Sequence, residues 1–190
     1  MEEAIRQELN ESILVKEKTK SLAPQIAKAT QAILNSYKNN GKVVFFGNGG
    51  SAADAQHLAA ELINKQYIDN RPPLAALAFT VDSSVLTCIG NDVHYNEVFA
   101  KQVQALVNKN DVVVGISTSG NSPNVIRGLE EAKKKGSYTI AMTGETGGKM
   151  QDLPGLLINV PSKKVSRIQE AHITIGHIIC GLVEEKLFKK

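Results

Sequence analysis

His57 and Glu61 lie four positions apart and put an imidazole and a carboxylate on one face of any helix that holds them. Such a pair can move protons or ligate a metal, although an ordinary surface ion pair uses the same spacing. Just upstream, Gly47-Asn48-Gly49-Gly50-Ser51-Ala52-Ala53-Asp54 has glycines that let a ligand approach the backbone. In it Ser51 can cap a helix while Asp54, three residues on, completes a capping box. The dinucleotide pattern G-x-G-x-x-G and the Walker loop are both absent, so no nucleotide cofactor is expected. A second loop, Ile116 to Asn124 (ISTSGNSPN), supplies Ser117, Thr118, Ser119 and Ser122, with Ser122 placed as N-cap and Pro123 at the first helical position. Free amides at a helix start, hydroxyls and an unhindered glycine backbone can converge on phosphate oxygens without any lysine. A structural cap needs one hydroxyl, so this many favour a phosphate or phosphosugar over the alternative, an ordinary capped loop. A third segment, Arg167 to His177 (RIQEAHITIGH), flanks His177 with apolar residues, which encloses an imidazole that then needs a partner. That histidine is either catalytic or a core residue bonded to a carbonyl, whereas His172 reads as structural or exposed.

The elements that must position these groups are legible from apolar periodicity. Residues 2 to about 38 repeat at helical spacing and break at Pro24, giving an arm of two helices over residues 1–40. Its stripe of Ile5, Leu9, Ile13 and Leu14 has to bury against something, another subunit included. Short all-apolar runs follow at Val43–Phe46, Leu74–Ala78, Val112–Ile116, Tyr138–Met142 and Leu156–Val160, mostly separated by helical stretches. Strands of that kind belong to a parallel sheet covered on both faces. The fold class is therefore α/β: a three-layer α/β/α sandwich on a five-stranded parallel sheet, with an N-terminal helical arm and a long, largely buried C-terminal helix from about Val165 to Phe188. Ligands of open parallel sheets sit beyond the carboxyl ends of the strands, which singles out the loops after Phe46, Ile116 and Met142.

Composition agrees with one globular domain spanning residues 1–190, the arm followed by an α/β core over 41–190. The chain has 42% apolar and 22% charged residues and a net charge of +3. No Trp, few aromatics and no long basic stripe argue against a nucleic-acid reader. No window approaches the ~18 uninterrupted apolar residues of a membrane span. Cys88 and Cys180 sit among apolar neighbours and read as reduced core thiols, so the expected compartment is the cytoplasm.

The same segments resemble the phosphoheptose (sedoheptulose-7-phosphate) isomerases of the sugar-isomerase, or SIS, fold. The resemblance spans nearly the whole chain. It is carried by Gly47 to Glu61 (GNGGSAADAQHLAAE), Gly90-Asn91-Asp92, Gly115 to Asn124 (GISTSGNSPN) and Arg167 to His177. It implies a homotetramer with active sites at subunit interfaces, and interconversion of D-sedoheptulose 7-phosphate and D-glycero-D-manno-heptose 7-phosphate through an enediol. That is the first step toward ADP- or GDP-heptose and glycans such as lipopolysaccharide. Glu61 and His177 are implied as the groups that carry proton transfer. The sugar phosphate is implied to be held by Asn48, Gly49, Gly50 and Ser51 of the first loop and by Ser117, Thr118, Ser119 and Ser122 of the second. Asn91, Asp92 and Gln169, with Glu61, complete that set.

Some relatives are similar to zinc proteins in which the positions of His57, Glu61, Gln169 and His177 bind the ion, which makes zinc a candidate cofactor. Gln169 and His177, however, are eight residues apart on one helix, about 12 Å at 1.5 Å per residue, so joint ligation would stretch both side chains. The chain departs from its relatives at Lys65, often Arg, and at Ser166, often acidic or proline. A lysine offers a point charge instead of a bidentate fork. The rival reading is a non-catalytic SIS protein, a sugar-phosphate sensor or a replication-initiator-binding assembly factor, which would share the phosphate-binding loop.

Overall fold

The computed structural model describes residues 1–189. The arm is α1 (Glu2–Thr19) and α2 (Ala23–Lys38), with Pro24 in the first turn of α2, where its missing N–H costs nothing. There follow β1 (Val43–Gly47), α3 (Gly50–Ile63), β2 (Ala76–Ala78), α4 (Ser83–Asp92) and α5 (Val98–Leu106). The chain closes with β3 (Val112–Ile116), α6 (Pro123–Lys134), β4 (Tyr138–Thr143), β5 (Leu156–Asn159) and α7 (Val165–Phe188). The second and fifth strands are shorter than their apolar runs. Helix α4 has no named counterpart in the periodicity reading; none of its residues is fully buried, and Leu86 and Ile89 pack half-buried on the core.

All five strands are parallel, in the order β2-β1-β3-β4-β5. Alternate residues of β1 face opposite layers. Val43 and Phe45 pack with α2, α3 and α7 on one side, while Val44 and Phe46 pack with α5 and α6 on the other. The strands read as unbroken apolar runs because neither face meets water. From β1 the chain moves outward to β2, then returns to lay β3 on the other side of β1 before continuing to β4 and β5. The reversal makes the gap between the carboxyl ends of β1 and β3 the place where loops diverge and a ligand can enter. No helix among the described residues is long and apolar enough to cross a membrane.

A buried ion pair fixes the far end of α3. Glu184 on α7 accepts backbone N–H bonds from Gln66 (2.9 Å), Tyr67 (3.2 Å) and Ile68, and faces Arg71 Nε at 3.5 Å. Arg71 Nη2 in turn donates to the carbonyl of Glu61 at 2.7 Å. Burial pushes the Glu184 carboxyl up, but the three amides and the Arg71 charge outweigh it and hold the group below its ordinary 4.5. The two cysteines differ from their shared reading. Cys180 is a buried thiol that burial pushes up to about 12, whereas Cys88 on α4 is exposed. Removing the carboxylate strands Arg71 in the interior, so Glu184→Ala is expected to cost at least ~3 kcal/mol in urea unfolding. The depressed pKa places wild-type Glu184's contribution above pH 4.5, lost as pH falls further, and the variant should show a correspondingly flatter acid limb.

Candidate active site

Helix α3 starts directly after β1 and presents His57 and Glu61 on the side facing α7. That approach is possible because Gly176 has no side chain: a Cβ there would lie 2.5 Å from Leu58 Cδ2. One residue on, His177 Nε2 meets His57 Nε2 at 2.8 Å, and His57 Nε2 lies 3.3 Å from Glu61 Oε1. His177 is therefore half-buried and paired with an imidazole, in place of the enclosed residue bonded to a carbonyl that its apolar flanks also allowed.

Two imidazole nitrogens at that distance share at most one proton, and Glu61 Oε2 is buried with no hydrogen-bond partner. Ligand atoms of His57, Glu61 and His177 all fall within 4.8 Å of one another. Two nitrogens and a carboxylate facing one point, with a carboxylate oxygen left over, fit a small divalent cation. The fourth residue of the anticipated set sits elsewhere. A Cβ on Gly50 would be 2.6 Å from Gln169 Nε2, so the glutamine amide packs over the bare backbone at the start of α3. Eight residues of helix separate it from His177, as the spacing demanded.

The hydroxyl-rich loop crosses the end of β3. Ser122 is the N-cap residue of α6, but its hydroxyl bonds Ser117 Oγ at 2.9 Å and caps no amide. Ser119 Oγ accepts from the Asn121 amide at 3.1 Å, and Thr118 O accepts the Gly144 amide at 2.9 Å, tying this loop to the end of β4. The expected capping box on α3 does not form. The N-cap is Gly49, and Ser51 is a buried residue within the first turn. The carbonyls of Asn48 and Gly49 already take the Ser51, Ala52 and Ala53 amides at 3.0 to 3.3 Å, leaving the hydroxyl nothing to cap. Asp54 is half-buried, its Oδ2 has no partner, and burial raises its carboxyl above the ordinary value.

Residues 9–144 match the SIS domain family. The chain is 51% identical to phosphoheptose isomerase 2 of Campylobacter jejuni over 183 residues, 95% of this chain and 90% of that protein. The chain belongs to the phosphoheptose isomerase family. Two solved structures agree. The phosphoheptose isomerase of Francisella tularensis superposes with a TM-score of 0.93 at 37% identity, covering 96% of this chain and 97% of that one. That of Neisseria gonorrhoeae gives 0.89 at 42% identity, covering 97% and 98%.

Against this family background several residues take on sharper places. Lys65 is exposed and paired with Asp69 one turn on, and Ser166 is exposed in the first turn of α7. Asn91 and Asp92 end α4 on the surface, where Asn91 Nδ2 donates to Asp92 Oδ1 at 2.7 Å. The structure adds one group that the motif reading passed over, Asn124, which joins Asn48 across the two loops at 2.8 and 2.9 Å. An asparagine within the first turn of a helix, where it competes for backbone bonds, was the available signal.

His172 is fully buried, contrary to an exposed reading, and braces the site from below. Its Nε2 lies 3.0 Å from Thr143 O, and a carbonyl can only accept, so Nε2 carries the proton and the unpartnered Nδ1 is bare. Thr143 ends β4, next to the Gly144 amide that holds Thr118. Burial pushes the His172 pKa down to about 4 from 6.5. The unfolded chain thus binds a proton that the folded one refuses. The stability contribution is complete above pH 6.5 and drains as pH falls toward 4, by ~1.4 kcal/mol per unit at the steepest. Subtracting the unfolding free energies of His172→Gln from those of wild type, at about pH 7 and about pH 5, should expose that slope.

Proposed function

We propose that the protein is a sedoheptulose 7-phosphate isomerase of the aldose–ketose type, with the phosphate on the Ser117–Ser122 loop and the reacting carbons at Glu61 and His177. One observation carries this reading. Glu61 sets Oε1 3.3 Å from His57 Nε2, which faces His177 Nε2 at 2.8 Å, on the helix that leaves the ligand loop. From Gly50 to His57 is about 10 Å along α3, a span that a phosphorylated sugar of several carbons bridges.

Ketose-to-aldose conversion removes a proton from C1 while a proton is added to the C2 oxygen, giving an enediol. The aldose forms when the C1 hydroxyl loses its proton and C2 gains one. The Glu61 carboxylate is the base at carbon, and His177 moves the proton at oxygen. The phosphate is remote from both carbons, so Ser117, Thr118, Ser119 and Ser122 hold it to orient them. Asn48, the Gly49-Gly50 backbone, Ser51 and Gln169 line the path between, and Asn91 and Asp92 border it.

The donor set of His57, Glu61 and His177 suits zinc, and Gln169, packed over Gly50, stands outside it. When bound, zinc would withdraw electron density from an oxygen next to the reacting carbons. Glu61 Oε1 lies 3.3 Å from His57 Nε2, on the side of the carboxylate that faces the two imidazoles. A non-catalytic sensor or assembly factor would need the hydroxyl loop but not this arrangement.

The same reading includes a homotetramer in a cytoplasmic setting, with residues 1–40 serving assembly. Supporting it, a groove of about 740 Å³ runs along α7 past His177, Ile178 and Leu182 to Phe188. A second, apolar groove begins at Ile178 and Leu182 and reaches α1 and α2. A neighbour seated there would close over His177.

A coupled assay with sedoheptulose 7-phosphate should show turnover by wild type, and Glu61→Gln should lower kcat at least ~10²-fold with the fold intact. Near-normal turnover in that variant removes Glu61 as base. Metal analysis of protein purified without a His tag is expected to find stoichiometric zinc, and its absence removes the metal assignment alone.

A further inference from the structure

The hydrogen bonds joining the two ligand loops decide which atom of Asn48 faces the ligand. The chain of reasoning begins at the Val125 amide, 3.0 Å from a side-chain atom of Asn124. A backbone N–H can only donate, so that atom is Oδ1 and the other is Nδ2, however the two are named. Asn124 Nδ2 must then donate, and does so to Asn48 Oδ1 at 2.8 Å. Asn48 Nδ2 returns a bond to Asn124 Oδ1 at 2.9 Å. The Tyr95 hydroxyl adds a longer contact to Asn48 Oδ1 at 3.4 Å. Asn124 is 2% exposed, so water cannot substitute for its own partners.

An amide oxygen accepts two bonds and an amide nitrogen donates two. Both acceptor places on Asn48 Oδ1 are taken, by Asn124 and Tyr95, and one of its N–H groups is spent on Asn124. What remains is a single N–H, on a half-buried side chain at the carboxyl end of β1, where the strand order reverses. We infer that Asn48 meets the ligand only as a hydrogen-bond donor, and that Asn124 is the positioning residue that fixes this polarity.

The consequence for recognition is chemical. Asn48 reads an acceptor oxygen of the ligand, a phosphate or carbonyl oxygen or the lone pair of a hydroxyl, and takes no hydrogen from a sugar hydroxyl. Asn124 touches no ligand and acts through Asn48. The clasp also joins the loop after β1 to the loop after β3, so the distance from the hydroxyl-rich loop to α3 is set by two side-chain amides. This inference rests on the phosphosugar reading above.

The test is a double-mutant cycle on sedoheptulose 7-phosphate, read as KM, kcat and calorimetric Kd, for wild type, Asn48→Ala, Asn124→Ala and the double variant. Each single change should raise KM and Kd ~10-fold, the worth of about one hydrogen bond. The double variant should be no worse than Asn48→Ala, because Asn124 has no other route to the ligand. The pH profile of kcat should be unchanged, since neither amide titrates. Additive losses, or unchanged affinity in folded Asn124→Ala, would overturn the inference.

If Asn124→Ala does not fold, side-chain amide NMR of the wild type decides. One Asn48 Nδ2 proton should shift on ligand binding while the other stays protected, and no shift in either would refute donor-only contact. Wild type that neither binds nor turns over the sugar phosphate removes the functional reading and this inference with it. Turnover with additive losses removes only the clasp.

Discussion

Two histidine Nε2 atoms 2.8 Å apart, one from α3 and one from α7, are the contact on which the rest of the arrangement turns. Nitrogens that close share a proton or a cation or repel one another, and the protein holds them there by packing. Leu58 is 1% exposed and cannot swing away, so only a glycine at 176 lets α7 come near enough. At the other end, Glu184 gathers three loop amides and Arg71, and Arg71 grips the Glu61 carbonyl. The face of α3 that carries His57 and Glu61 is thus fixed between a steric contact and a buried ion pair. Neither touches the reacting groups.

The sheet supplies the second constraint. Because β1 and β3 are neighbours whose chains depart in opposite directions, their following loops can meet without a connection crossing between them. The Asn48–Asn124 pair spans that gap, and the Thr118–Gly144 bond extends the same layer to β4. His172 then connects β4 back to α7, closing a circuit from the hydroxyl loop to the helix that carries His177. A rigid circuit of this kind keeps the hydroxyl loop and the His57–Glu61–His177 cluster at one separation, which is what the proposed handling of a flexible chain sugar requires.

What the sequence disclosed and what it hid separate along physical lines. The strands were legible because burial on both faces leaves no polar alternation, and the start of α6 because Ser122-Pro123 marks an N-cap and first helical position. Helix α4 escaped notice since only Leu86 and Ile89 pack on the core, half-buried, and so short a stripe does not stand out. Ser51 was misread because capping chemistry depends on where the turn ends. Here the positive φ of 56° at Gly49 moves the N-cap two residues upstream and the backbone satisfies itself. Cys88 and Cys180 have similar neighbours in sequence and opposite exposure in space. Asn124 was legible only as an odd residue in a first helical turn: its partner lies 76 residues away, and no local pattern names that partner.

Helix α1 shows how one segment can be attached and unsatisfied together. It is held to α7 by polar contacts: Glu8 with Lys164 and Arg167, Glu11 with Lys164, and Ser12 with Glu170. Only Val15 and Thr19 are buried on it. Ile5, Leu9, Ile13 and Leu14 remain 53%, 60%, 64% and 53% exposed, so the helix docks through its charges and turns its apolar stripe outward. An isolated chain would gain nothing from that choice, because each exposed aliphatic side chain forgoes ~1.5–3 kcal/mol of burial. The arrangement becomes favourable once other copies of the chain cover the stripe, and the charges then serve to aim α1 before the apolar contact forms. That geometry lends weight to the proposed tetramer, in which the stripe on α1 would be held in place by α7, the helix that carries His177.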